Sequence, residues 1–81
     1  MFYVYVLYSE KFSRTYTGFT NNLERRLKEH NAKRNKSTKA FVPWSIIYKE
    51  EVETRVLARE REKYLKSGIG RDFIKTIIKA P

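Results

Sequence analysis

Apolar and polar positions divide the chain into six segments. Phe2 to Tyr8 is apolar and aromatic throughout, has no breaker and is rich in Val and Tyr, side chains that suit a pleated surface. Tyr3, Tyr5 and Leu7 fall on one face and Phe2, Val4, Val6 and Tyr8 on the other. With both faces apolar, this strand is predicted to be central and covered on both sides. Ser9 to Arg14 is polar and suits a hairpin loop, and Thr15 to Phe19 reads as the second strand. If residue 8 pairs with residue 15, Tyr5 sits opposite Gly18 and Leu7 opposite Tyr16. Tyr5 and Tyr16 are then diagonal neighbours on one face, about 7 Å apart. Gly18 leaves a space beside Tyr5 that a ligand or another backbone could fill. A slip of one residue would separate the two rings.

The period then changes from two to that of a helix. Thr20-Asn21-Asn22 offers several caps, and Asn21 with Glu24 resembles a capping box. The helix is predicted to run to Ala32 or Arg34, with Leu23, Leu27 and His30 on one stripe and Arg26 at its border. Arg25, Lys28 and Glu29 lie farther round, on the solvated side. Lys33 to Lys39 is polar and basic and reads as a mobile, phosphate-facing loop. Pro43 precedes a third strand over residues 44–49, with Trp44 as a core or edge anchor. Residues 53–66 hold no Gly or Pro and form a helix. Leu57, Ala58, Arg61, Tyr64 and Leu65 share one side of it, and Glu60 and Glu62 flank that side, so periodicity does not choose between them. Ser67-Gly68 ends this helix, Gly70 marks a second break, and residues 71–79 form a last helix with Phe73, Ile74, Ile77 and Ile78 inward. The expected fold class is α/β (α+β): a small three-stranded antiparallel sheet flanked by helices, in the order β-β-α-β-α-α.

Composition narrows what such a fold can do. Eighty-one residues make one domain, 1–81, near the lower limit for folding without a staple. With no cysteine and one histidine, neither disulfides nor a zinc site can supply that staple. Six Tyr, five Phe and one Trp must build the core. Eighteen Lys and Arg against nine acidic residues give a net charge of +9, which points to a polyanionic partner, nucleic acid before others. No apolar run is long enough to span a membrane, and the first eight residues lack a basic n-region and a cleavage site. The expected address is the cytoplasm.

Gly-rich phosphate loops, paired catalytic aspartates, a Cys nucleophile and a Ser-His-Asp spacing are all missing. Tyr, Arg, one His and Glu on a basic surface suit phosphodiester hydrolysis. That reaction needs a base for water, a cation for the developing charge and a metal near the leaving oxygen. A phenol is a poor base unless nearby cations favour the phenolate, and clustered Arg side chains could supply that bias. Arg grips phosphate in a bidentate manner that Lys cannot match. One Glu suffices for Mg²⁺, which keeps most of its waters and borrows phosphate oxygens.

Four blocks, in order, carry a family pattern: Tyr3-Val4-Tyr5; Tyr16-Thr17-Gly18; Thr20-Asn21-Asn22-Leu23-Glu24-Arg25-Arg26-Leu27-Lys28-Glu29-His30-Asn31; and Arg61-Glu62-Lys63-Tyr64-Leu65-Lys66. Together they resemble the GIY-YIG nuclease domain, the last block being similar to that of small stand-alone bacterial members. The resemblance spans nearly the whole chain. It implies a metal-dependent endonuclease acting on nucleic acid, DNA before RNA, with structure-selective cleavage in repair or recombination. It sets the two motif tyrosines at Tyr5 and Tyr16, the helix arginine at Arg26 and the metal carboxylate at Glu62, which resolves the choice against Glu60. His30 matches a position often His in related domains, as a proton shuttle or phosphate ligand. Tyr5 is the expected base, with Tyr16 positioning it or the phosphate. One Mg²⁺ or Mn²⁺ ion would be held by Glu62, waters and the substrate phosphate. Arg25, Lys33, Arg34, Lys36 and Lys39 are the expected nucleic-acid contacts.

The pattern has departures. Tyr3 stands where the family name has Gly, Thr17 where it has Ile, and Phe19 where some repair nucleases carry Lys. Two other readings keep the fold: a non-catalytic nucleic-acid-binding module, and a small interaction protein lending this domain to a repair complex, with a protein partner supplying extra DNA binding. A pure binder needs the Lys and Arg side chains but not Glu62.

Overall fold

The computed structural model describes residues 1–79. Strand β1 (Phe2–Ser9) is the middle of a three-stranded sheet, with β2 (Arg14–Thr20) and β3 (Ser45–Val52) antiparallel on either side. Helix α1 (Leu23–Asn31) follows the hairpin, a single 3₁₀ turn (Lys39–Phe41) precedes β3, and α2 (Arg55–Lys66) and α3 (Gly68–Lys79) close the chain. This is the β-β-α-β-α-α order and the α+β class that the hydrophobic pattern predicts. No helix among the described residues is long and apolar enough to cross a membrane.

The two apolar faces of β1 divide the core. On one face Val4 and Val6 pack with Ala58, Leu65 and Ile74 from α2 and α3. On the other, Tyr5 and Leu7 pack with Trp44 and with the half-buried Tyr16, Leu23, Leu27 and Phe41. Each such aliphatic or aromatic side chain contributes roughly 1.5–3 kcal/mol by leaving water. The hairpin register is the predicted one: Tyr5 faces Gly18, Leu7 faces Tyr16, and Tyr8 faces Thr15.

The ends of the elements are set by local hydrogen bonds that the sequence pattern left ambiguous. Asn22, not Asn21, caps α1; its side chain accepts the Arg25 N–H at 3.0 Å. The helix stops at Asn31 with Ala32 as its C-cap, at the nearer of the two expected ends, because Lys33 takes φ 64° and turns the chain back. Asn31 then clamps the returning segment. It accepts the Trp44 N–H at 2.7 Å and donates to the Trp44 carbonyl at 3.1 Å.

Helix α3 starts at Gly68 rather than at Arg71. Ser67 ends α2 in an extended conformation and its carbonyl accepts from the Arg71 N–H at 2.8 Å, so one residue closes one helix and opens the next. Gly70 is therefore no break. It sits inside α3 where a Cβ would overlap the Tyr64 carbonyl and the Leu65 backbone, and its missing side chain lets the two helices touch. The inward faces of these helices are also narrower than predicted. Ala58, Leu65 and Ile74 are buried, whereas Leu57, Tyr64 and Phe73 are 40–44% exposed. A three-stranded sheet is too small to cover both rows. The outer row is shielded from the side instead: the Arg61 guanidinium lies 4.7 Å from the Tyr64 ring centre, and Phe73 sets its edge on Tyr48 at 5.2 Å. Arg61 also joins α2 to β3, reaching both Glu50 carboxylate oxygens at 2.6 and 3.3 Å.

The two helical glycines thus predict opposite outcomes. Gly70→Ala gains about 1 kcal/mol of helix propensity, but the backbone it meets cannot yield, and overpacking costs about 1–3 kcal/mol or more; its thermal midpoint should fall by several degrees. Gly68→Ala meets no atom within 4 Å, so its midpoint should hold or rise. Thermal unfolding followed by circular dichroism distinguishes the pair.

Candidate active site

The β1–β2 hairpin and α1 bring four of the five expected catalytic side chains into one cluster, and α2 presents the fifth at its border. Tyr5 projects from the middle of β1 and is 1% exposed. Its ring lies over Gly18, where a Cβ would stand 2.8 Å from Tyr5 Oη and 3.2 Å from Tyr16 Cε2. The space beside Gly18 is therefore filled by the phenol of Tyr5 itself rather than kept for a ligand. Tyr16 is half-buried, with its ring centre 6.4 Å from that of Tyr5 and 4.9 Å from that of His30.

His30, fully buried at the end of α1, holds the cluster together. Its Nε2 is 3.1 Å from Tyr5 Oη, and its Nδ1 is 2.8 Å from Thr38 Oγ1. The Thr38 hydroxyl donates onward to the Asn35 carbonyl at 3.5 Å. That direction assigns the imidazole tautomer from the network: Nδ1–H donates to Thr38, which leaves the Nε2 lone pair to accept the Tyr5 O–H. Tyr5, His30, Thr38 and the Asn35 carbonyl form one proton-ordered chain from the sheet to the loop. The segment expected to be mobile is thus pinned at its middle, with Thr38 buried and its carbonyl accepting from Trp44 Nε1 at 3.0 Å.

Arg26 borders the phenol one turn before His30, with its side chain 32% exposed. Its Nη1 donates to Glu29 Oε1 at 3.0 Å, so Glu29 is a half-buried positioning partner rather than a solvated residue. On α2, Glu62 is half-buried and Glu60 is exposed. The Glu62 side chain is 21% exposed, lies 3.4 Å from Lys66 Nζ, and its charge is felt by Tyr5. Arg25, Lys33, Arg34, Lys36 and Lys39 are all exposed on α1 and the loop after it. Arg25 and Arg34 share a shallow cleft with Glu29, and Arg25 pairs loosely with that carboxylate at 3.9 Å.

The electrostatics reverse one expectation. Burial pushes the Tyr5 phenol up to about 12; the Arg26 guanidinium beside it works the other way but is outweighed, and the charges of Tyr16 and Glu62 add to the rise. Burial, reinforced by the Arg26 charge and opposed by Glu29, holds His30 down to about 4. Both groups are therefore neutral near pH 7. The sequence reasoning foresaw Arg26 as a bias toward phenolate but missed the dry environment, which costs any charged form more than one arginine returns.

Sequence reasoning also missed Thr38, Asn35, Asn31 and Glu29. Asn31 carries a signal in the His-Asn dipeptide of the third block; Thr38 sits in a polar run where nothing marks it.

The fold, the hairpin tyrosines and the helix blocks define a class, and a comparison with family models gives the same answer. The GIY-YIG catalytic domain model matches residues 1–71, and the chain belongs to that nuclease family. Among individual proteins, it is similar to a UPF0213 protein of Clostridium perfringens, 43% identical over 67 residues, covering 82% of this chain and 71% of that protein. A UPF0213 protein of Natronomonas pharaonis is 39% identical over 66 residues, covering 80% and 76%. The solution NMR structure of a UPF0213 protein from Bacillus halodurans superposes with a TM-score of 0.56 at 25% identity, covering all of this chain and 89% of that one.

The depressed His30 pKa carries a stability consequence whose sign is fixed. Between pH 6.5 and about 4 the unfolded chain binds a proton at His30 that the folded chain refuses. Unfolding free energy should therefore fall as pH drops through that window, by about 1–3 kcal/mol. Urea titrations at pH 7 and pH 4.5 should show the loss, and His30→Gln should flatten this part of the profile.

Proposed function

We propose that the chain is a divalent-metal-dependent endonuclease that hydrolyses phosphodiester bonds in DNA, with Tyr5, Tyr16, Arg26, His30 and Glu62 as its site. The observation that carries this reading is the 3.1 Å pair of Tyr5 Oη and His30 Nε2 beside Arg26. It gives the phenol a proton acceptor inside a dry pocket.

Burial favours the neutral form of both groups, raising the phenol and lowering the imidazole. A resting phenolate–imidazolium pair is thus negligible, and the proton stays on Tyr5 until substrate arrives. Hydrolysis is then a relay. As water attacks phosphorus, Tyr5 Oη takes the water proton while its own moves to His30 Nε2, whose Nδ1–H remains tied to Thr38. Arg26 stabilises the charge growing on the non-bridging oxygens, and Glu29 aims the guanidinium. Tyr16 directs the phosphate toward Tyr5.

No group of three or more His, Cys, Asp or Glu side chains gathers among the described residues. The single carboxylate Glu62, half-buried and paired among the described residues with Lys66 alone, fits an ion that keeps its water shell and completes it with substrate oxygens, as Mg²⁺ or Mn²⁺ does. Such an ion, when bound, would supply Lewis-acid stabilisation of the leaving oxygen. Exposed cations on α1 and its following loop, Arg25, Lys33, Arg34, Lys36 and Lys39, would take the flanking phosphates. Branched and flapped DNA, of the kind met in repair and recombination, is the substrate class we favour. The neutral resting phenol also leaves room for a second reading, a nucleic-acid-binding module without turnover.

Nicking of labelled branched, flapped and linear DNA with Mg²⁺ or Mn²⁺ tests the two against each other. Tyr5→Phe, Arg26→Ala and Glu62→Gln should each lower the rate about 100-fold or more, in the range general-base and charge-stabilising groups contribute. DNA affinity should change little in Tyr5→Phe and Glu62→Gln. A wild-type rate no higher than that of Glu62→Gln, with binding intact, would establish the module instead.

A further inference from the structure

The helix furthest from the motif blocks lines a cleft that the family pattern does not use. Two adjoining cavities, about 350 Å³ and 250 Å³, lie between the β1–β2 hairpin and α3 and share Thr15, Arg71 and Ile74. Lys66 stands at one end, Arg71 in the middle and Lys75 at the other, and no carboxylate lines either cavity. Three other clefts each carry acid: Glu24 in one, Glu50 and Glu51 in another, Glu29 in a third. Among the described residues, neither Arg71 nor Lys75 is in an ion pair. Asp72, their neighbour on α3, lines neither cavity.

The cleft opens onto the site. Its inner end touches Tyr16 and Lys66, and Lys66 is the residue paired with Glu62. Its outer end is walled by Tyr8, half-buried, and by Ile74. Arg71 and Lys75 are one helical turn apart, about 6 Å along the axis, close to the step between neighbouring phosphates of an extended strand. Cations in a row with an aromatic ring beside them are the means by which proteins hold single strands, because an unpaired base offers its face while a paired one does not.

We propose that this cleft binds single-stranded polynucleotide and leads an unpaired strand to Tyr16 and Glu62. Arg71 and Lys75 take successive phosphates, and Tyr8 takes a base. The proposal rests on the nuclease reading for its direction, since it gives flapped or frayed ends a path that blunt duplex cannot enter. It does not require cleavage.

The test is binding without added metal, by fluorescence anisotropy, of labelled oligothymidylate, oligouridylate and a blunt duplex, to wild type and to the exposed double variant Arg71→Gln/Lys75→Gln. Wild type should prefer both single strands to the duplex. The double variant should bind the single strands about tenfold more weakly and the duplex almost as before. Its log–log salt slope on the single strands should shrink by about 1.4, or 0.7 for each phosphate that is no longer neutralised. Amide resonances of Tyr8, Thr15 and Arg71 should shift on adding oligothymidylate, which reports the cleft whatever the variant does to folding. Unchanged single-strand affinity in the double variant, or shifts confined to the 33–39 loop, would overturn the cleft while leaving the nuclease reading intact. Weakened binding as predicted in a protein that never nicks would overturn the nuclease reading and keep the cleft.

Discussion

The hydrogen bond between Tyr5 and His30 is the constraint on which the rest of this structure depends. Two polar groups lie almost wholly out of water, and each would cost free energy there if left unpaired. Everything around them serves to pair them. Gly18 withholds a Cβ so that the phenol can lie flat across β2. Thr38 fixes the far nitrogen of the imidazole, and the loop carrying Thr38 is held in place by the Asn31–Trp44 clamp and the indole N–H. Removing any one member would strand the next. This is a network whose parts are interdependent, and it explains why one fully buried position of the central strand holds a tyrosine rather than a leucine.

The same central strand separates two jobs. Its even-numbered face is a conventional aliphatic core with α2 and α3; its odd-numbered face carries the tyrosine and imidazole chemistry under α1. Glu62 comes from the first side and Arg26 from the second, so the proposed site draws on both layers. An edge strand suits this purpose, because nothing further in the sheet blocks approach from that side.

Much of the fold is legible in the sequence because the period of two in β1 and β2 marks both strands, and pairing residue 8 with residue 15 gives the observed register. The central place of β1 follows from its two apolar faces, whereas Tyr5 opposite Gly18 needed the hairpin pairing that the structure supplies. The helix ends were less legible, since Asn21 and Asn22 are chemically equal caps and only the backbone path selects between them. Gly70 misled for a physical reason: a glycine that breaks a helix and one that admits a neighbouring helix look alike in sequence. Glu60 and Glu62 are likewise equivalent on a helical wheel, and their different exposure emerges only once α2 is docked. Long-range partners such as Thr38, and the burial that raises the Tyr5 pKa, have no local signature at all.

His30 is the sole histidine of the chain, so one NMR measurement addresses the central claim directly. Long-range proton–nitrogen correlation of the imidazole, followed through a pH titration, reads both its tautomer and its ionisation. The Tyr5–His30–Thr38 network predicts a neutral ring with the proton on Nδ1, titrating near pH 4. A ring protonated on Nε2, or one that titrates near the ordinary value of 6.5, would contradict it and remove the proton acceptor from Tyr5.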